Sequence, residues 1–295
     1  MTDPARAASR LPEEARTALA APAARIAVTT VTRDGGRRLD AYPVAGGSFV
    51  ALTPKGDGDA AVGYPLGGVD IEALIAGALG LAEPLADIGY RGELPAAALW
   101  ALAALADAHR QLELESLLAR VPARRLALDA DTVYLRALDG ASLPDPRWLS
   151  GLLTQLMGAG DVTEARLQAG LAALARAGLI AERNGVWSPQ PTFALAFAHL
   201  EVPLAGARLV IEIAGARSTL VLLRTLAALW LLHSRGEQVL LRSVDGAAAR
   251  QAIRDAVAAA TPQARAPAQR SCPRCGSPAA ATDRFCAKCG TALSS

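Results

Sequence analysis

Lysine is nearly missing from this chain of 295 residues: of thirty basic residues only Lys55 and Lys288 are lysine, and arginine supplies the rest. Aromatic residues are equally scarce, at 4% of the chain. Long uncharged apolar runs are lacking too. The most apolar stretch, 204–233, is interrupted by Arg208, Glu212, Arg217 and Arg224, whereas a membrane-spanning helix needs about twenty nearly uncharged residues. There is no G-x-x-x-x-G-K-[ST], no G-x-S-x-G and no H-E-x-x-H. His109, His199 and His233 stand far apart, without metal-motif spacing. The turn around Asp57 and Asp59 lacks the glutamate that a calcium loop needs at its twelfth position. The expectation is therefore a chain that is not an enzyme, with an enzyme bearing an unrecognised site as one alternative. Residues 1–23 carry Asp3, Glu13 and Glu14 and no apolar run of signal-peptide length, so the expected location is the cytoplasm. The arginine and alanine bias is that of a bacterial chain of GC-rich coding.

Cysteine is rare but placed. The only four are Cys272, Cys275, Cys286 and Cys289, in two C-x-x-C pairs separated by ten residues. Each pair offers two sulfurs from one tight turn, and the return of the chain brings both turns to one ion. Four thiolates are the closed, structural kind of Zn²⁺ shell. Gly276 and Gly290 follow the second cysteine of each pair, where a left-handed backbone lets amides point at sulfur. Phe285 is the one large apolar residue available to the segment, so the metal has to supply its folding energy, on the order of 10 kcal/mol. One structural zinc is the expected cofactor, with iron in a rubredoxin-like site as the alternative. Disulfides do not suit the compartment, and redox cycling does not suit two pairs committed to one site. The pattern CPxCG…FCxxCG resembles the short zinc ribbons at the ends of many bacterial proteins. That resemblance covers 272–290 and implies metal and fold, not activity.

The rest of the chain implies an α+β body of two related halves. Residues 1–23 form a polar segment with a short helix over 11–20. Residues 24–140 form a first half, with strands at 26–31, 38–44, 48–52 and 60–66 and a helix over 69–81 beginning near Asp70. Helices follow at 94–106 and 111–120, then a hairpin of 125–128 with 132–138. Residues 141–259 form the second half. Helices over 144–157 and 163–177, the latter capped by Asp161 or Thr163, precede a hairpin around Asn184-Gly185. That order is winged-helix-like over 144–190. A helix over 191–200, a strand at 209–213, an ambiguous apolar run over 219–233, a strand at 238–244 and a helix over 247–259 complete it. Residues 260–271, rich in Ala, Pro, Gln and Arg, are a flexible linker to the ribbon at 272–295.

An internal echo bears on the ambiguous run, which on its own reads as two strands or one buried helix. Ala24-Arg-Ile-Ala-Val28 matches Ala207-Arg-Leu-Val-Ile211, and Phe49-Val-Ala-Leu matches Leu229-Trp-Leu-Leu. A polar turn, a strand and an alanine-rich helix follow in both. Residues 219–233 are then strands, and the body is a pseudo-twofold pair of small, mostly antiparallel sheets with helical modules between them. The segment Leu171-Ala-Ala-Leu-Ala-Arg-Ala-Gly-Leu, the Asn184-Gly185 hairpin, Phe193–Pro203, and the following strands and helix resemble the EspG-like chaperones of type VII (ESX) secretion. That resemblance covers 144–259 and implies an adaptor that holds a protein partner; the ribbon departs from the family.

Charge weighs the alternatives. The chain is +2 overall; five basic residues against Asp283 put the tail from 260 onward at +4 and the body at −2. Residues 143–190 balance Arg147, Arg166, Arg176 and Arg183 against Asp145, Asp161, Glu164 and Glu182. Within 163–177 only Arg166, Gln168 and Arg176 suit a DNA-reading helix. A protein-binding adaptor with a tethered zinc ribbon is thus the expected function. A winged-helix DNA-binding regulator is the alternative, with nucleic-acid contact weak.

Overall fold

Burial alternates along Ala24–Thr32, while Pro203–Ile213 is apolar and buried along most of its length, and these two strands, β1 and β9, pair antiparallel in the interior of the sheet. The computed structural model describes residues 11–55, 60–121, 128–160, 162–261, 269–271, 274–275, 277–280, 288–289 and 291. A short helix α1 (Glu13–Ala20) precedes β1. Then come β2 (Gly35–Pro43), β3 (Phe49–Pro54), β4 (Ala60–Leu66) and α2 (Gly68–Ala78). After β9 the same order recurs: β10 (Ala216–Thr225), β11 (Leu229–Arg235), β12 (Gln238–Val244) and α8 (Gly246–Ala260). Between the repeats lie β5 (Arg91–Pro95), α3 (Ala96–Ala119), β6 (Leu128–Asp129), α4 (Ala130–Ser142), α5 (Leu149–Met157), α6 (Glu164–Arg176), β7 (Ile180–Arg183), β8 (Val186–Pro189) and α7 (Ala194–Leu200).

The α+β class and the antiparallel pairing stand, and 219–225 and 229–233 are strands, as the echo requires. The halves differ from expectation in one respect: they are a single sheet of order β4-β3-β2-β1-β9-β10-β11-β12-β5. Two separate meanders would each expose β1 or β9 as an open edge, and pairing them removes both. The echo also locates the axis that relates the halves. It equates Ala27 with Val210, and these two residues are register partners. β5 comes from between the repeats and closes the far edge beside β12.

One sheet face carries α2 and α8, whose Ile71, Ile75, Ile253 and Val257 pack with Ile26, Val28, Leu209 and Ile211. Glu72 on α2 takes Arg250 at 3.2 Å and Arg254 at 3.3 Å from α8. The other face packs Val221, Leu223, Trp230, Leu232 and Leu241 against the alanine-rich middle of α3, with α4–α7 in the same core. Small residues let these elements approach closely. A Cβ on Gly170 of α6 would fall 2.5 Å from the Ala97 carbonyl oxygen and 2.8 Å from Ala101 Cβ. α5 lies over β9, where Arg208 Nη1 donates to the Leu156 carbonyl at 2.8 Å.

Local expectations fail where a distant partner decides. The two helices expected over 94–106 and 111–120 are one helix, Ala96–Ala119, because nothing between them breaks it, and Leu94 and Pro95 are the end of β5. Residues 132–138 are helical, not strand: Asp129 accepts from the Thr132 N–H at 2.7 Å, and Val133, Ala137 and Gly140 make a buried stripe of helical spacing. The helix expected from 144 begins at Leu149. The helix expected from 191 begins at Ala194. Asp70 sits inside α2 and accepts from the Gly67 N–H at 2.7 Å. Thr163 caps α6, accepting from the Arg166 N–H at 3.3 Å. Asp161, Asp57, Asp59 and residues 122–127 lie outside the described residues. The hairpin at Asn184 and Gly185 stands, with φ of 56° and 78°, the mirror-image turn that suits strand twist. β8 also pairs with β6, which makes a sheet of order β6-β8-β7.

Replacing Gly170 by leucine forces α6 off the α3 backbone. We expect a loss of about 3 kcal/mol in urea-unfolding free energy. The neighbouring exposed Ala169→Leu should change it by less than about 0.5 kcal/mol. Equal stabilities for the two variants would contradict the close contact.

Candidate functional site

Three places on the chain combine exposure or burial with chemistry. At the C-terminus, β13 (Gln269–Ser271) and β14 (Pro278–Ala280) pair antiparallel with Ser271 opposite Pro278. The expected linker thus ends earlier, because its last three residues are the first strand of a hairpin. The turn between these strands carries the first C-x-x-C, with Cys275 half-buried. Cys289 of the second pair is also half-buried, and its thiol donates to Thr291 Oγ1 at 3.2 Å. Cys272 and Cys286 lie outside the described residues. A donor set of four thiolates from two turns suits Zn²⁺.

The second place is the far end of α3. From Ala101 to Ala108 every residue of this helix is buried, and its alanines let neighbours in. Its last two turns emerge from the core. There Leu114, Leu117, Leu118 and Val121 are 41%, 73%, 85% and 58% exposed. Leu114, Leu117 and Leu118, at spacings of three and one, share one helical stripe, and Val121 follows just past the end of the helix. Gln111 Nε2 donates to Glu115 Oε1 at 2.6 Å beside the stripe. The helix stops at Arg120, which adopts a left-handed φ of 55°. The next helix, α4, packs on α3 and shows Leu135 and Leu138, and Leu143 follows it, all exposed. Among the described residues, seven large exposed apolar residues thus fall between 114 and 143. A single exposed leucine is ordinary; several on the end of one helix make a candidate contact surface.

The third place is where α5 is held to α3. Asp107, 2% exposed, accepts from the Leu149 N–H at 2.7 Å and the Ser150 N–H at 2.8 Å, and Ser150 Oγ donates to it as well. A helix N-terminus is thus capped by a carboxylate from another helix. Nearby, Arg110 donates to the Arg147 carbonyl, and its guanidinium lies 4.9 Å from the Trp148 ring centre. Arg147 grips Asp145 at 2.6 Å, and that hydrogen bond, ahead of the nearby charges, holds the Asp145 carboxyl below the usual range. Burial pushes Asp107 up to about 6, against the pull of its three hydrogen bonds. No sequence motif announces this site.

The residues singled out from the sequence are dispersed. His109 lies on α3, His199 on α7 and His233 on β11. On α6, Arg166, Gln168 and Arg176 are exposed, and Glu164 is exposed beside them. The apolar stripe escaped notice although its period is readable, because the sequence does not say which turns of a helix leave the core. Among the described residues, no helix is long and apolar enough to cross a membrane.

Comparison with known proteins bears on both parts. Residues 268–293 match the zinc-ribbon domain, so the chain ends in such a ribbon. No curated protein matches the chain. Among solved structures, the chain is similar to the Mycobacterium tuberculosis type VII secretion system chaperone EspG5, solved in complex with the PE25-PPE41 dimer. Identity is 12%, the TM-score is 0.39, and the match covers 83% of this chain and 75% of that one.

Asp107 generates a test with a sign. Its folded value of about 6 lies above the ordinary 3.8, so its ionisation opposes folding. Its contribution is greatest below pH 3.8, falls as pH rises towards about 6, and is level above that. Asn at this position does not titrate and turns an amide donor towards N–H groups. The stability advantage of wild type over Asp107→Asn should therefore shrink as pH rises from 4 to 6 and then hold constant. Urea titrations at four pH values measure it; an advantage that grows over that interval would contradict the assignment.

Proposed function

We propose that the protein is a non-enzymatic, chaperone-like adaptor of the cytoplasm that binds a protein partner through the ridge at the end of α3. The observation that carries this reading is the exposed stripe of Leu114, Leu117 and Leu118, followed past the helix end by the exposed Val121. Its two turns fit the apolar face of a partner's amphipathic helix. Burying four such side chains contributes roughly 6–10 kcal/mol, and association costs about 4–15 kcal/mol, so the ridge alone supports weak binding. A second contact on the tethered ribbon would strengthen it by raising effective concentration. In this reading one zinc ion is held by Cys272, Cys275, Cys286 and Cys289, and it supplies the folding energy of the ribbon.

Leu117→Asp/Leu118→Asp replaces two exposed residues, so the fold should survive. Tagged wild type and this variant, purified from the native host and compared by mass spectrometry, should differ by the loss of a stoichiometric partner. A 1–261 fragment should keep that partner more weakly. Full retention by the ridge variant would refute the reading. Tight duplex binding at physiological salt, lost in Arg166→Ala/Arg176→Ala, would favour a winged-helix regulator instead.

The thiolate site is checked by thiol counting. All four cysteines should resist alkylation in the purified chain and react after strong chelation. Cobalt substitution should give thiolate charge-transfer absorption, and Cys272→Ser/Cys286→Ser should abolish it. Rapid alkylation of all four thiols without chelator would exclude the site.

A further inference from the structure

Near the emergence of α3 from the core, a histidine and two glutamates converge. His109 and Glu113 stand one turn apart on α3. Glu201 is the C-cap of α7, and its N–H bonds to the Phe197 carbonyl at 3.3 Å. Phe197 meets the His109 ring edge-on, with centroids 5.3 Å apart and planes at 89°. This fixes the imidazole with Nδ1 against Glu201 Oε1. One donor atom from each of the three residues lies within 4.8 Å of the other two.

The burial of these atoms needs an explanation. Glu201 is only 6% exposed, and its Oε1 and His109 Nδ1 are sealed from solvent. The two atoms touch as an ion pair, yet neither makes a hydrogen bond of acceptable geometry. A buried carboxylate oxygen without a good hydrogen bond is costly. A cation shared among the three donors removes that cost. Metal–ligand distances of about 2.0–2.2 Å require donor atoms about 3–3.5 Å apart, within reach of small side-chain rotations from the observed spacing. One imidazole nitrogen with two carboxylates suits a borderline dication better than Mg²⁺ or Ca²⁺, which favour oxygen alone. Two glutamates also match its charge.

We propose that His109, Glu113 and Glu201 bind a divalent transition-metal ion of the zinc class, a second site independent of the ribbon thiolates. Bound there, the ion ties α3 to α7 just below the exposed ridge. Three protein ligands leave one coordination position for water or for a donor from a partner.

The test uses the full chain with all four ribbon cysteines changed to serine, titrated with Zn²⁺ by calorimetry at neutral pH. One equivalent should bind, and adding Glu113→Gln or Glu201→Gln should weaken it by at least about tenfold. Glu113→Gln alters an ion-ligating group near the helix surface and should leave the circular dichroism spectrum unchanged. Wild type loaded with Co²⁺ gives a second readout that does not depend on the cysteine-free chain folding. It should take up a second equivalent without thiolate charge transfer, lost in Glu113→Gln. Absence of uptake in both experiments, or uptake indifferent to both glutamine variants, would leave an ion pair of His109 with Glu201 and overturn the proposal.

Discussion

Strand β1 meets β9 along nine residue pairs, from Ala24 opposite Ile213 to Thr32 opposite Ala205. Both partners would be edges if the halves stood apart, and an edge nine residues long invites pairing with other chains. Joined, they lie in the interior of the sheet, with β9 as its central strand. Each covers residues on both faces: Ile26, Val28, Leu209 and Ile211 under α2 and α8, and Val31 and Gly206 towards the opposite helices. The two helical layers therefore rest on one pairing. The salt bridges from Glu72 to Arg250 and Arg254 extend the same junction from the strands to the helices above them.

What the helices on the other face share is small side chains. Alanine at 101, 103, 104, 106 and 108 gives α3 little to interdigitate with, so specificity comes from proximity and from polar fixings. Gly170 allows backbone-to-backbone contact, and Asp107 orients the start of α5. A core poor in aromatics concentrates them: Tyr90, Phe193, Phe197 and Trp230 form one chain of ring contacts, with centroids 5.2–6.2 Å apart. His109 continues that chain towards the surface.

Local signals in the sequence carry the elements whose causes are local. The two C-x-x-C pairs, the Asn184-Gly185 turn and the Thr163 cap are each written in a few adjacent residues. The echo of 24–28 in 207–211 goes further and places the pseudo-dyad at Ala27 and Val210. What escapes is whatever depends on a partner far along the chain. Union into one sheet rests on an edge meeting another edge. Asp107 looks like an ordinary polar residue inside a helix until Leu149 and Ser150 are set against it. The apolar stripe at 114–118 has a readable period, but a stripe facing a core and one facing outward are spelled alike. Glu201 carries no motif, because its partners sit on a helix that ends some eighty residues earlier.

The central pairing also sets the order of events during synthesis. β1 leaves the ribosome long before β9, and the intervening chain includes every helix from α2 to α7. At ordinary elongation rates of about 5–20 residues per second, β1 waits roughly ten to thirty seconds for its partner. Over that interval the first meander is translated without a mate, and β5 is out ahead of β12, the strand it will flank. The sheet can close only once β12 has been made, so the first meander stays without its mate until then. A protein read here as a holder of others would itself need holding while it is made.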